Sequence, residues 1–362
     1  MKHSRLTLLA LFYALDTSAS GTPSTIIQPS QDRWMYPSNV TPGNRTQAST
    51  FSALPGAAGL DDRWGFFLFA FDTGAAVPAG LPPEFYQIRS VKVTAMIAQD
   101  ILFAYDPSYD GWRSYSTPSV PATVADSDSG RPLELHGAGF RNGQSAASFL
   151  ETSPYGGNGQ PGTRNAFPLG FDATGLPRDA GNNITGQFDS VPWAVGQQPH
   201  LSPGDLVPEG TVMNFMLDAS LAGVDAYLRN GLAAGRVWFS LSSLHPATQQ
   251  AGEFVAYYTR DDFAHQFSIA NVSGYQGGIA PTLELDAEIS LPLSITQDGG
   301  SVLLNWPEFP GFTFTLQASP DLSPASWQAI HQYSATSTGI GSHSEPVQPG
   351  KRFFRLGIHP TP

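Results

Sequence analysis

The chain has 362 residues, and its 18 Lys+Arg against 30 Asp+Glu leave a formal net charge of −12, which repels phosphate backbones and anionic lipid and argues against nucleic-acid partners. It contains no cysteine, which excludes a disulfide framework, a thiolate metal site and a cysteine nucleophile. Charged residues are only 13% of the chain while aromatics reach 12%, with 37 glycines and 31 prolines, a balance that suits short strands joined by long loops rather than helical bundles.

Lys2, His3 and Arg5 precede an apolar run over residues 6–15, and the small residues Ser18, Ala19 and Ser20 follow it. This is the pattern of an export signal over residues 1–20, cleaved near Gly21. A run of about ten residues is too short to span a bilayer, and no later segment is long and apolar enough, so the mature protein is expected to be secreted or held at the cell surface without a membrane span. Residues 21–31, rich in Ser, Thr, Pro and Gln, read as a flexible lead-in.

Strand signals begin after it. Residues 64–71 are apolar on both alternating faces, which fits a strand covered on each side. Residues 91–97 alternate between core and solvent positions. Further strands are expected at 133–136, 211–217, 236–242, 253–259 and 282–289, together an antiparallel jelly roll or β-sandwich over residues 32–289. One short helix interrupts it: Ser220 is the expected cap, Leu221, Val224 and Leu228 fall on one face, and Asn230-Gly231 is the expected stop. Residues 140–208 are Gly/Asn/Pro/Gln-rich, long for a connection within a compact domain, and loops of that length are usually functional or mobile. A new pattern opens near Ser290. Residues 301–306, 312–318, 327–333 and 351–356 read as strands of a small second sandwich over 290–358.

Three groups of residues could carry chemistry. Glu134 and His136 stand two apart in an expected strand and so project from one face, where a base and its partner could cooperate; their more ordinary placement is the solvent face or a bond to a neighbouring loop. Asp106 and Asp110, with Asp126 and Asp128 of Asp126-Ser127-Asp128-Ser129-Gly130, offer the oxygens that calcium prefers, although the third acidic ligand and distal Glu of an EF-hand are missing. Trp112, in Asp110-Gly111-Trp112-Arg113-Ser114-Tyr115, sits in an apparent loop, where with Tyr109, Tyr115 and Arg113 it could stack on sugar faces and bond their hydroxyls. Trp34, Trp64 and Trp238 are expected in the core, as are Trp306 and Trp327 in the small domain. Asp32-Arg33-Trp34 recurs as Asp62-Arg63-Trp64, with ion pairs expected inside each triplet at a strand start. Nucleophile elbows, zincin motifs and Gly-rich phosphate loops are absent, and no catalytic residue is assigned.

The segments Val302-Leu303-Leu304-Asn305-Trp306-Pro307, Phe314-Thr315-Leu316-Gln317-Ala318-Ser319-Pro320-Asp321-Leu322, Ser326-Trp327 and Arg352-Phe353-Phe354-Arg355-Leu356 together resemble a fibronectin type III module of exported bacterial proteins. That resemblance implies a spacer or attachment role. Over residues 30–288 the chain is similar to exported bacterial β-sandwich proteins of no assigned activity. The segments in common are Asp32-Arg33-Trp34-Met35-Tyr36-Pro37, Tyr105-Asp106-Pro107, Gly130-Arg131-Pro132-Leu133-Glu134-Leu135-His136-Gly137 and Ser242-Ser243-Leu244-His245-Pro246. It also resembles carbohydrate-binding jelly rolls in architecture. These resemblances imply a non-catalytic protein that binds a polysaccharide or a cell-surface glycan. The rival expectations are a polysaccharide lyase or hydrolase on the same sandwich, and a structural matrix or adhesion protein.

Overall fold

Apolar side chains at nearly every position of residues 64–71 require cover on both faces, and the fold is built around that demand. The computed structural model describes residues 12–14, 24–26, 28–39, 43–53, 59–115, 123–157, 162–247, 254–262 and 279–361. It makes Arg63–Asp72 a ten-residue strand. Phe67, Phe69 and Phe71 meet Phe239 and Tyr257 on one face. On the other face Phe66, Leu68 and Ala70 pack against Met35, Ala138, Phe149 and Trp238. Burial of each such large side chain contributes about 1.5–3 kcal/mol, so one strand anchors two layers of core.

Arg63–Asp72 lies inside a 9-stranded antiparallel sheet ordered Val255–Tyr258, Gln47–Ser52, Arg63–Asp72, Arg236–Ser243, Leu133–Phe140, Ala166–Phe171 and Pro177–Asp179. Gln31–Met35 also pairs with Arg63–Asp72, and Ala194–Val195 with Leu133–Phe140. A 4-stranded sheet runs Val212–Met216, Tyr86–Met96, Thr282–Ile289 and Ser24–Ile26. The sheets meet where Ile88, Val91, Leu283 and Leu285 of the smaller one face Val237 and Phe239 of the larger, with Leu228 and Leu232 of a helix closing the space. The mostly β, sandwich-like fold expected from the alternation is therefore what forms.

Several local expectations change. The helix is Val224–Ala234, opening after a left-handed Gly223 and closing at a left-handed Gly235. Ser220 does not cap it, because its hydroxyl turns back to Asp218 Oδ1 at 2.5 Å, and Gly231 lies inside the helix rather than stopping it. A second helix is the single turn Trp112–Tyr115. The long Gly/Asn-rich segment carries three short strands, Ala166–Phe171, Pro177–Asp179 and Ala194–Val195, and its Phe149 and Ala146 are tied down by Trp238, whose Nε1 donates to Ala146 O at 2.9 Å. Within the expected lead-in, Ser24–Ile26 is a strand paired with Leu283–Leu285.

The chain divides into two compact units. The sandwich just described occupies Pro23–Ala79 and Ile88–Asp286, and the other includes Gly80–Gln87 and Ala287–Pro362. This second unit has a sheet of Ser294–Asp298, Ser301–Glu308 and Gly339–Pro346, and another in which Phe312–Ser319 pairs with Gln328–Ser334 and Arg352–Pro360. Trp306, Phe314 and Phe354 are its buried centre. Trp327, expected in that core, is only half-buried, under the Arg355 guanidinium at 4.4 Å from its ring. Of the expected leader, only the backbone of Phe12–Ala14 is described, running parallel to Arg352–Phe354; the rest of residues 1–20 lies outside the described residues. No described helix is long and apolar enough to cross a membrane.

Candidate functional site

Alternation along Leu133–Phe140 does place Glu134 and His136 on one face, opposite Ser242 and Ser240 of the neighbouring strand. That face points into the core, not to solvent: Glu134, His136 and Ser242 are all 0% exposed. Arg63 reaches Glu134 Oε2 through Nε at 2.8 Å and Nη2 at 2.7 Å, and its Nη1 donates to Asn183 Oδ1 at 2.6 Å and to Ala180 O. Ser242 Oγ donates to the same Glu134 oxygen at 3.3 Å and stands 3.5 Å from His136 Nδ1. Burial raises the Glu134 carboxyl above its ordinary range against the pull of Arg63, and burial beside Arg63 keeps His136 neutral, well below its usual pKa. A general base must reach a substrate proton, and an enclosed carboxylate already forked by a guanidinium cannot. The pair is enclosed inside the sheet, with Glu134 Oε1 and His136 Nε2 left without a hydrogen-bond partner among the described residues.

The aromatic expectations exchange places. Trp112 is only 7% exposed, because the turn Trp112–Tyr115 rolls its ring inward. Arg113 stays at the surface, 5.7 Å from the Trp112 ring. Tyr115 is covered by the Arg131 guanidinium at 4.2 Å and donates to Asp110 Oδ2 at 3.2 Å, and Tyr109 is half-buried. These four residues therefore form no outward platform. Trp34 and Trp64, expected in the core with Trp238, are only partly buried, although the Trp34 Nε1 is itself enclosed. Trp34 stacks on Tyr36 at 4.9 Å, Tyr36 meets Trp64 edge-on at 6.3 Å, and Phe51 backs both Trp34 and Tyr36. Gly65 is needed beneath them, since a Cβ there would stand 2.5 Å from the Phe51 ring.

The acidic loops converge in part. Carboxylate oxygens of Asp106, Asp110 and Asp128 lie within 4.8 Å of one another. Asp126 is drawn off by Arg131, which also holds Asp110 Oδ2 at 3.0 Å. Burial raises the Asp106 carboxyl to about 6, with Asp128 and Asp110 adding to the rise.

The two Asp-Arg-Trp triplets do not form the expected internal ion pairs. Arg33 turns to Ser153 O, Asp62 caps the loop at Ile184 and Thr185 with bonds of 2.6–2.9 Å, and Arg63 serves Glu134. Asp32 meets Arg260, whose backbone N–H donates to Oδ2 at 2.7 Å and whose Nη2 reaches both Glu151 oxygens at 2.7 Å. Nothing in the sequence marked that partnership, which joins residues far apart in the chain.

No known family matches the chain, and no curated protein resembles it in sequence.

Asp32 sets a pH dependence. Burial raises its carboxyl to about 7, against the hydrogen bond and charge of Arg260, while Asp261 and Glu151 push it further up. An acid with a raised folded pKa stabilises the fold fully below its unfolded pKa of about 4, and that contribution is lost as pH rises through about 7. Urea unfolding is expected to show stability falling with pH between about pH 4 and pH 7, by at most about 1.4 kcal/mol per unit, and levelling off above about pH 7. Asp32→Asn should flatten the curve; an unchanged slope in the variant would assign the effect to other groups.

Proposed function

We propose that the chain is an exported, non-catalytic protein that binds a neutral polysaccharide through the rings of Trp34, Tyr36 and Trp64, with the C-terminal unit as its spacer. The observation that carries this reading is the partly exposed cluster of rings itself. Three large rings, backed by a fourth, sit on or beside paired strands rather than on a loose loop, so little side-chain entropy remains to be lost on binding. Sugar C–H faces lie well on such rings. The net charge of −12 disfavours sulfated or uronate-rich chains, in keeping with an uncharged glycan as the ligand. Enclosure of Glu134 and His136 weighs against the lyase or hydrolase alternative. The basic start and small-residue site of residues 1–20 support export to the cell surface or medium.

Affinity electrophoresis against a panel of neutral glucans, mannans and xylans checks the reading. Trp34→Ala and Trp64→Ala are each expected to weaken binding about tenfold or more, because one stacked ring at a binding hot spot carries about 2 kcal/mol. Trp327→Ala, in the other unit, should bind as the wild type does. Retardation by no polysaccharide, or retention of full affinity by both platform variants, would sink the proposal.

A further inference from the structure

Asp106, Asp110 and Asp128 come from two separate stretches of chain, and their approach is built rather than incidental. Gly130 adopts φ +103, and a Cβ there would stand 2.8 Å from Ala104 O and 3.2 Å from Asp106 Cβ. Only glycine lets the 126–130 segment cross so closely over residues 104–106. The crossing sets Asp128 Oδ2 2.8 Å from Ser108 Oγ, which also lies 2.8 Å from Asp106 Oδ1. A hydroxyl has one proton, so it can satisfy one of these two carboxylates and presents a lone pair to the other.

Asp106 adds an independent sign of a missing ligand. It is only 2% exposed, and its Oδ1 takes the Ser108 N–H and hydroxyl. Its Oδ2 is buried with no hydrogen-bond partner among the described residues. A buried carboxylate oxygen left unpaired is costly, and structures rarely keep one without an ion or water to answer it. Asp110 spends Oδ2 on Arg131 and Tyr115, and Asp126 gives Oδ2 to Arg131 while its Oδ1, like Asp106 Oδ2, is buried with no hydrogen-bond partner among the described residues. With Asp126 counted, four carboxylates face one guanidinium, so the group keeps an excess of negative charge.

We propose that Asp106, Asp110 and Asp128 bind a calcium ion. Calcium suits the site because every donor is a hard oxygen and none is His or Cys. Three carboxylates are fewer than the six to eight oxygens calcium takes, so water completes the shell and the affinity falls in the range of extracellular modules, about 0.1–1 mM. The ion answers the orphan oxygen of Asp106, relieves the lone-pair conflict at Ser108, and ties residues 104–110 to 126–130. Magnesium, which demands a tight octahedron and keeps its water, is the weaker occupant.

Full-length protein is stripped with chelator, and calcium chloride is returned in a calorimetric titration and in a melting series. The expected result is saturable binding near 1 mM and a melting temperature that rises with calcium, because a ligand that binds only the folded state stabilises it by mass action. Asp128→Asn, at an exposed position, is expected to fold as the wild type does and to bind calcium about tenfold more weakly. Asp106→Asn should remove the response, and Asp126→Asn, whose Oδ2 is held by Arg131 and which stands outside the converging trio, should leave affinity within about twofold. Absence of any calcium response in the wild type would overturn the proposal. So would an Asp128→Asn variant that binds as tightly as the wild type, or a magnesium response as strong as calcium's.

Discussion

Replacing Arg63 by alanine is expected to cost about 3–5 kcal/mol of folding stability, because it strips the partner from a buried charge. Arg63 and Glu134 are each about 1% exposed in their side chains, and both Nε and Nη2 address one carboxylate oxygen. Without the guanidinium, Glu134 would lie in the core with only Ser242 to answer it, and it would have to take up a proton to remain there. Nη1 also satisfies Ala180 O and Asn183 Oδ1, so the loss reaches the loop after Pro177–Asp179. The double variant Arg63→Met/Glu134→Gln is expected to recover only part of the loss, since it removes the unpaired charge but leaves Ala180 O and Asn183 Oδ1 without their donor. Urea denaturation of the wild type, Arg63→Ala and the double variant measures it, with the slope on denaturant unchanged. A loss under about 1 kcal/mol for Arg63→Ala would mean that water reaches Glu134. In that case the carboxylate and His136 would again be candidates for catalysis.

The expectations that survive from the sequence are those that rest on alternation. Residues 64–71 demanded cover on both faces and received it, and Leu133–Phe140 put Glu134 and His136 on a single face. Alternation cannot say which face is the core, however. A polar face can be buried where the neighbouring strand brings small hydroxyls, Ser240 and Ser242, and an arginine reaches it from elsewhere, as Arg63 does. Loop composition misled for a related reason. Gly, Asp and Ser around Trp112 suggest exposure, yet a single helical turn and the overlying Arg131 bury the aromatic side of that segment. Trp34 and Trp64 look like core residues because they sit in strands. They lie near the ends of Gln31–Met35 and Arg63–Asp72, where the sheet no longer covers them completely. The acidic cluster was legible as a set of residue types. Its true membership depended on Arg131 taking Asp126 away, which no spacing rule contains.

Trp112→Ala is expected to lose about 3–5 kcal/mol of stability, the cost of the cavity that a buried indole leaves behind. The ring is 7% exposed, and the turn that carries it also positions Tyr115 against Asp110 and Arg131, so its removal loosens the base of the acidic loops as well. Arg113→Ala, one residue along and at the surface, should stay within about 0.5 kcal/mol of the wild type. Both variants, assayed well below their melting temperatures, should keep their affinity for neutral polysaccharide, because neither touches Trp34, Tyr36 or Trp64. The opposite pattern would be decisive: an unchanged melting curve with lost glycan affinity would return Trp112 to the surface and move the binding site to the loops. Stability and affinity measured on the same protein therefore separate a ring that holds the fold from a ring that holds a ligand.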